Sequence, residues 1–158
     1  MSGIKKMREL MMFTEMCKEA KDVQKKWEPK IGDRVIFTNN EDEGIVVHII
    51  DNNSIVVLVL QEDTTKLNSS LNQIVSTIRE LIWLPTQRQL QEMLFPNNYF
   101  WHYMGLNVLN EKMAKVYGSF YSGGGFENGE EFWMAVVMWE LYRKVWDICM
   151  EKWIKSGK

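Results

Sequence analysis

The chain has 158 residues, 46% hydrophobic and 25% charged, the make-up of a globular protein large enough to bury roughly two-thirds of its unfolded surface. A formal net charge of −2 excludes a bulk electrostatic drive toward nucleic acid. Two cysteines are too few for a secreted disulfide framework, and no apolar run reaches the about 18 residues of a membrane span.

The first element expected is a helix over residues 3–26. Ile4, Met7, Met11, Phe13, Cys17, Ala20 and Val23 recur at mostly three- and four-residue spacings and form one apolar face. Trp27 and Pro29 end it, because the residue before a proline avoids helical geometry. The opening stretch Met1–Arg8 lacks the apolar core of a secretory leader, so a cytoplasmic location is expected.

A strand-rich region follows over 30–84. Lys30-Ile31-Gly32-Asp33 reads as a turn, Arg34–Thr38 as a strand, Gly44–Ile50 and Ile55–Leu60 as a hairpin closed by Asp51-Asn52-Asn53-Ser54. The hairpin strands Ile45-Val46-Val47-His48-Ile49-Ile50 and Ile55-Val56-Val57-Leu58-Val59-Leu60 do not alternate. Strands apolar on both faces are expected to be covered on both. That expectation joins helices and sheet into a single domain, 1–158. Residues 61–72 read as a polar loop, 71–80 as a short helix, and Leu81–Leu84 as a last strand stopped by Pro85.

The remaining 86–155 is expected to be helical. Thr86 and Gln89 form a capping box that opens Gln87–Leu94. A helix is expected over Tyr99–Tyr117. Ser122-Gly123-Gly124-Gly125 breaks the chain, and Asn128 with Glu131 is a second capping box opening a helix over Gly129–Ile154. Phe132, Trp139, Trp146 and Trp153 recur every seven residues, nearly two helical turns, and so define one face. It reads as a core spine or as the seam of a homodimer through the last helix. The fold class expected is therefore α+β: an N-terminal helix, a small antiparallel sheet or SH3-like partial barrel, and a C-terminal helical bundle packed on it.

The SH3-like element rests on Gly32-Asp33-Arg34-Val35 followed by Gly44-Ile45-Val46. In this rhythm a Gly-Asp turn leads into the first strand and a second glycine permits a tight bend.

The chemical inventory is sparse. His48 lies in an apolar strand and His102 among Tyr99, Phe100, Trp101 and Tyr103, settings of hydrogen-bonded core histidines. Cys17 and Cys149 read as buried thiols. The sequence contains no His-x-x-x-His, Cys-x-x-Cys or EF-hand spacing and no Gly-x-Ser-x-Gly, so no metal, cofactor or catalytic residue is assigned. Glu130 and Glu131 suit a helix N-terminus. The Gly123–Gly125 loop beside the His102 cluster is kept as a small-ligand alternative.

The segment Ile82-Trp83-Leu84-Pro85-Thr86-Gln87-Arg88-Gln89-Leu90-Gln91-Glu92-Met93-Leu94 resembles a block in uncharacterised proteins of bacteriophages and prophages of Gram-positive bacteria. Trp27-Glu28-Pro29-Lys30-Ile31-Gly32-Asp33 and the aromatic-rich 132–147 stretch match further pieces of that pattern. About half the chain is covered, discontinuously, and 61–80 departs as an insertion. The resemblance implies a phage setting and no activity.

These readings lead to a non-catalytic protein acting through contacts with a host or phage protein. One concrete form is an inhibitor of a host defence such as CRISPR, with the acidic turn Glu41, Asp42, Glu43 as partner-binding residues. The alternative is a nucleic-acid-binding accessory factor. Residues 1–30 hold eight Lys/Arg against five Asp/Glu, and Lys5, Lys6, Arg8, Lys18, Lys21, Lys25 and Lys26 would carry that role.

Overall fold

The computed structural model describes residues 12–60, 72–94 and 129–155. The chain contains both helix and antiparallel sheet, and its contacts divide it into two compact units. One is Gln24–Leu84; the other joins Met1–Val23 to Pro85–Lys158.

The Gln24–Leu84 unit is a five-stranded antiparallel sheet. Its strands are β1 (Arg34–Phe37), β2 (Glu43–Ile49), β3 (Ser54–Val59), β4 (Gln73–Thr77) and β5 (Leu81–Leu84), in the spatial order β4-β3-β2-β1-β5. The three strands expected first are present within a residue or two. Asp51 shapes the β2–β3 turn: its carboxylate accepts the N–H groups of Asn53 and Ser54 at 2.8 and 2.9 Å, which is why Asx residues favour such turns. Register shifts between Val46 and His48, so Val47 is an extra residue of the kind that bends a strand.

Gln73–Thr77 corrects the helix expected over 71–80. Leu71, Ile74, Val75 and Ile78 have helical spacing, but Ile74, Val75 and Thr77 are β-branched and the second edge of β3 needs a partner. Pairing with β3 from Ser54↔Thr77 to Leu58↔Gln73 outweighs the weak helical pattern. A single 3-10 turn, Ile78–Glu80, leads into β5.

Burial alternates along these strands although the sequence does not. Val46, Ile55, Val57 and Val59 are buried, whereas Ile45, Val56 and Leu58 are only partly so. The two faces are covered unequally: one is core, and the other is half-buried at Ile45, Val56 and Leu58. His48 is exposed rather than a core histidine.

Two glycines do what the Gly-Asp and Gly-x-Val rhythm requires. Gly32 has φ +96, a conformation glycine adopts without a Cβ penalty. A Cβ on Gly44 would collide with Val57 Cγ1 and lie 3.0 Å from the Leu58 carbonyl oxygen.

The second unit contains α1 (residues 12–19), α2 (Lys21–Gln24, whose last residue begins the sheet unit), α3 (Gln87–Leu94), α4 (Gly129–Tyr142) and a two-stranded sheet, β6 (Lys144–Asp147) and β7 (Lys152–Lys155). The helix expected over 3–26 is interrupted at Ala20, whose N–H is shared between the Met16 and Cys17 carbonyls. The Thr86–Gln89 capping box is formed in both directions: Thr86 N–H donates to Gln89 Oε1 at 2.9 Å, and Gln89 N–H to Thr86 Oγ1 at 3.2 Å. Residues 131–138 of α4 are all buried, Glu131 included, as in a helix surrounded by other elements.

The single helix expected over 129–154 is corrected. α4 ends at Tyr142, Arg143 turns to φ 54, and the chain becomes a hairpin. Arg143 N–H bonds the Trp139 carbonyl at 3.1 Å, and its guanidinium lies 5.6 Å from the Trp139 ring centre, a cation–π distance. Trp146 and Trp153 are register partners across the hairpin, with ring centres 5.1 Å apart. Seven residues separate two turns of a helix, and they also separate facing residues of a hairpin with this turn. The continuous helical seam for a homodimer is therefore divided between a helix and a sheet. Trp153 Nε1 donates to the Met16 carbonyl at 2.9 Å, and Lys144 Nζ pairs with Asp22 Oδ2 at 2.6 Å. These bonds fasten the hairpin to α1 and α2. Beside that pair, burial and then the negative charge of Asp22 raise the pKa of the Tyr142 phenol, and Lys144 opposes them.

The helix expected at Tyr99–Tyr117, the Gly123–Gly125 loop, His102 and Asn128 lie outside the described residues, as do residues 61–71 of the loop expected over 61–72 and residues 3–11 of the helix expected over 3–26.

Candidate functional site

The entry to the sheet is organised by one carboxylate. Asp33 Oδ2 accepts the Trp27 indole N–H and the Lys30 backbone N–H, both at 2.9 Å. Trp27 stacks on Trp83 with ring centres 6.2 Å apart and planes 7° from parallel. Asp33 and both tryptophans are buried. Opposite this cluster, the Gln24 side-chain amide meets the backbone of Trp83 twice: Trp83 N–H donates to Oε1 at 2.8 Å, and Nε2 donates to the Trp83 carbonyl at 2.9 Å. The amide does for β5 what a neighbouring strand would do. The Gly-Asp motif is thus architectural, and its polar groups are engaged inside the unit.

The acidic turn is less uniform than its sequence. Glu41 and Asp42 are exposed, with Glu41 at φ 60. Glu43 begins β2, where its Oε1 receives Arg34 Nε at 3.0 Å and Nη2 at 2.6 Å. That pairing neutralises Glu43 locally.

The basic residues are dispersed. Lys18 is paired with Glu15 at 2.9 Å. Lys21 is exposed on α2, and Lys25 and Lys26 are exposed on the turn after it. Lys5, Lys6 and Arg8 lie outside the described residues.

The second face of the sheet is apolar and only partly covered. Register places Ile45, Leu58 and Gln73 in one row and His48, Val56 and Val75 in the next, both on the partly exposed face. Val75 is 65% exposed. The signal was present as the lack of alternation; it reveals that both faces are apolar, not which one is core. A second surface missed from sequence is the β6–β7 turn, where Ile148, Cys149 and Met150 are exposed. Asp147 Oδ1 holds this turn by accepting the Cys149 and Met150 N–H groups at 2.9 and 3.0 Å. Cys149 is accordingly not the buried thiol expected, whereas Cys17 is buried.

Among the described residues no group of three or more His, Cys, Asp or Glu side chains is placed to hold a metal ion, and no helix is long and apolar enough to cross a membrane. The chain matches no protein-family model and no curated protein.

Proposed function

We propose that this chain acts without catalysis, through protein–protein contact, and that its sheet unit is an SH3-like partial barrel serving as the binding module. The observation that carries the reading is the second apolar face of the sheet. Ile45, Val56, Leu58 and Val75 are apolar, lie on the side away from the core and keep contact with solvent. Of these, Val75 is exposed and the other three are half-buried; apolar side chains left in contact with solvent side by side mark interaction sites. The barrel assignment is supported by the all-antiparallel order β4-β3-β2-β1-β5, the bulge in β2, the Gly32-Asp33 entry and the 3-10 turn before β5.

In the phage setting implied by the resemblance, the partner is a host or phage protein, and inhibition of a host defence such as CRISPR is one concrete form. Glu41 and Asp42 are the exposed acidic groups that would meet a basic partner surface. The test is capture from a bacterial lysate with tagged wild type, Leu58→Lys and Glu41→Lys/Asp42→Lys, with and without nuclease. A protein retained by wild type after nuclease and lost with Leu58→Lys supports the reading. Retention by all three proteins refutes both surfaces. A capture that vanishes with nuclease transfers the role to Lys18, Lys21, Lys25 and Lys26.

A further inference from the structure

We propose that the chain pairs with a second copy of itself through the open edge of β4. The two β4 strands run antiparallel about a two-fold axis at Val75. This goes beyond the contact surface proposed above and does not depend on it.

The register fixes which backbone groups are available. Val59 N–H donates to the Asn72 carbonyl at 3.0 Å and Ile78 N–H to the Asn53 carbonyl at 2.9 Å, both continuing the β3–β4 ladder. In an antiparallel ladder, bonding direction alternates residue by residue. Asn72, Ile74 and Ser76 therefore turn their N–H and C=O groups toward β3, and Ile78 turns its N–H toward the β2–β3 turn while its carbonyl accepts the Leu81 N–H. Gln73, Val75 and Thr77 turn theirs outward, and β4 is the end of the sheet. The Thr77 carbonyl receives Ser76 Oγ at 3.2 Å; the outward groups of Gln73 and Val75 have no partner among the described residues.

A second copy fits this edge. With Val75 on the axis, Val75 faces the second copy's Val75, and Gln73 faces the second copy's Thr77. Each outward N–H then meets an outward carbonyl. Gln73–Thr77 contains no charged residue and no proline, so none of the usual devices that block edge pairing is present. Nor does a like charge meet itself across the axis. The row His48, Val56, Val75 continues into the same row of the second copy. Ile74 and Val75, 44% and 65% exposed, gain apolar neighbours. A ladder of this length is short against the about 1,200 Å² of a stable complex, so the dimer is one that dissociates on dilution.

The test is sedimentation velocity over a wide concentration range, with folding checked by circular dichroism. Wild type moves from monomer to dimer as concentration rises. Val75→Lys and Val75→Glu each raise the dimer dissociation constant by about tenfold or more, because like charges meet at the axis. An equimolar mixture of the two recovers dimer, since opposite charges now face each other. A wild type that stays monomeric throughout overturns the proposal, as does dimerisation unaffected by Val75→Lys. If the charged variants do not fold, Val75→Cys with Cys149→Ser decides. Residues facing each other in a hydrogen-bonded pair have Cα atoms about 5.5 Å apart, within disulfide range. Mild oxidation then gives a covalent dimer, and failure to do so refutes the axis.

Discussion

The two edges of the five-stranded sheet meet opposite treatment. At β5, Gln24, the first residue of the same unit, satisfies both the N–H and the C=O of Trp83 with one amide, while Trp27 covers the Trp83 ring and Asp33 anchors the Trp27 indole. At β4, the outward groups of Gln73 and Val75 have no such partner among the described residues, and two β-branched side chains are exposed beside them. Edge strands are hazards that proteins cover or charge. One edge here is covered by three residues of a single short stretch, distant in sequence from β5; the other is uncharged and, among the described residues, uncovered. A surface left in that state is available for pairing.

The largest expected effect comes from a residue on which both edges depend. Gly44→Val forces a side chain into Val57 and the Leu58 carbonyl and should cost about 3 kcal/mol or more by overpacking, lowering the denaturant midpoint and exposing both edges to hydrogen exchange. Asp33→Ala strips the buried Trp27 indole and the Lys30 N–H of their acceptor. A loss of about 2–3 kcal/mol is expected, with amide exchange rising at β5 before β4. Gln24→Ala uncovers the Trp83 backbone and should cost about 1–2 kcal/mol. Faster exchange of the Trp83 amide is its specific sign, and an unchanged rate would mean that the Gln24 amide is not what protects this edge. The smallest change in monomer stability belongs to the open edge: Val75→Thr should stay within about 0.5 kcal/mol by denaturant titration. If Val75→Thr proves as costly as Gln24→Ala, the two edges are not different in kind.

Parts of the fold were legible because local chemistry and backbone geometry agreed. Gly32-Asp33, the Asp51 turn and the Thr86–Gln89 box each announce a backbone geometry, and each is found where expected. The misreadings share a cause: a spacing that satisfies two geometries. Trp146 and Trp153 are two helical turns apart and also cross-strand partners. What distinguishes the cases is the Asp147 turn and the helix stop at Arg143, which has no glycine to advertise it. Ile74, Val75 and Ile78 suit a helix face and a strand equally, and only the vacant edge of β3 decides between them. For the contact surface, the non-alternating strands revealed that two faces were apolar. They could not reveal which face becomes core, because that depends on register and on the residues packed against it. Similarly, Glu43 is held by Arg34, nine positions earlier in sequence, which the fold brings onto the neighbouring strand.

The Gln24–Trp83 clasp has one further consequence. It holds the first and penultimate residues of the sheet unit side by side, so the chain enters and leaves that unit through a single doorway. A segment with adjoining ends has the form of a cassette. It can be lifted out of one chain and set into the loop of another without stretching either, and its own ends can be rejoined and new ones opened elsewhere. Domain insertion and circular permutation are tolerated where termini adjoin in this way. Residues 24–84 are the natural piece to express alone, to graft, or to use as a carrier for altered versions of the β1–β2 turn.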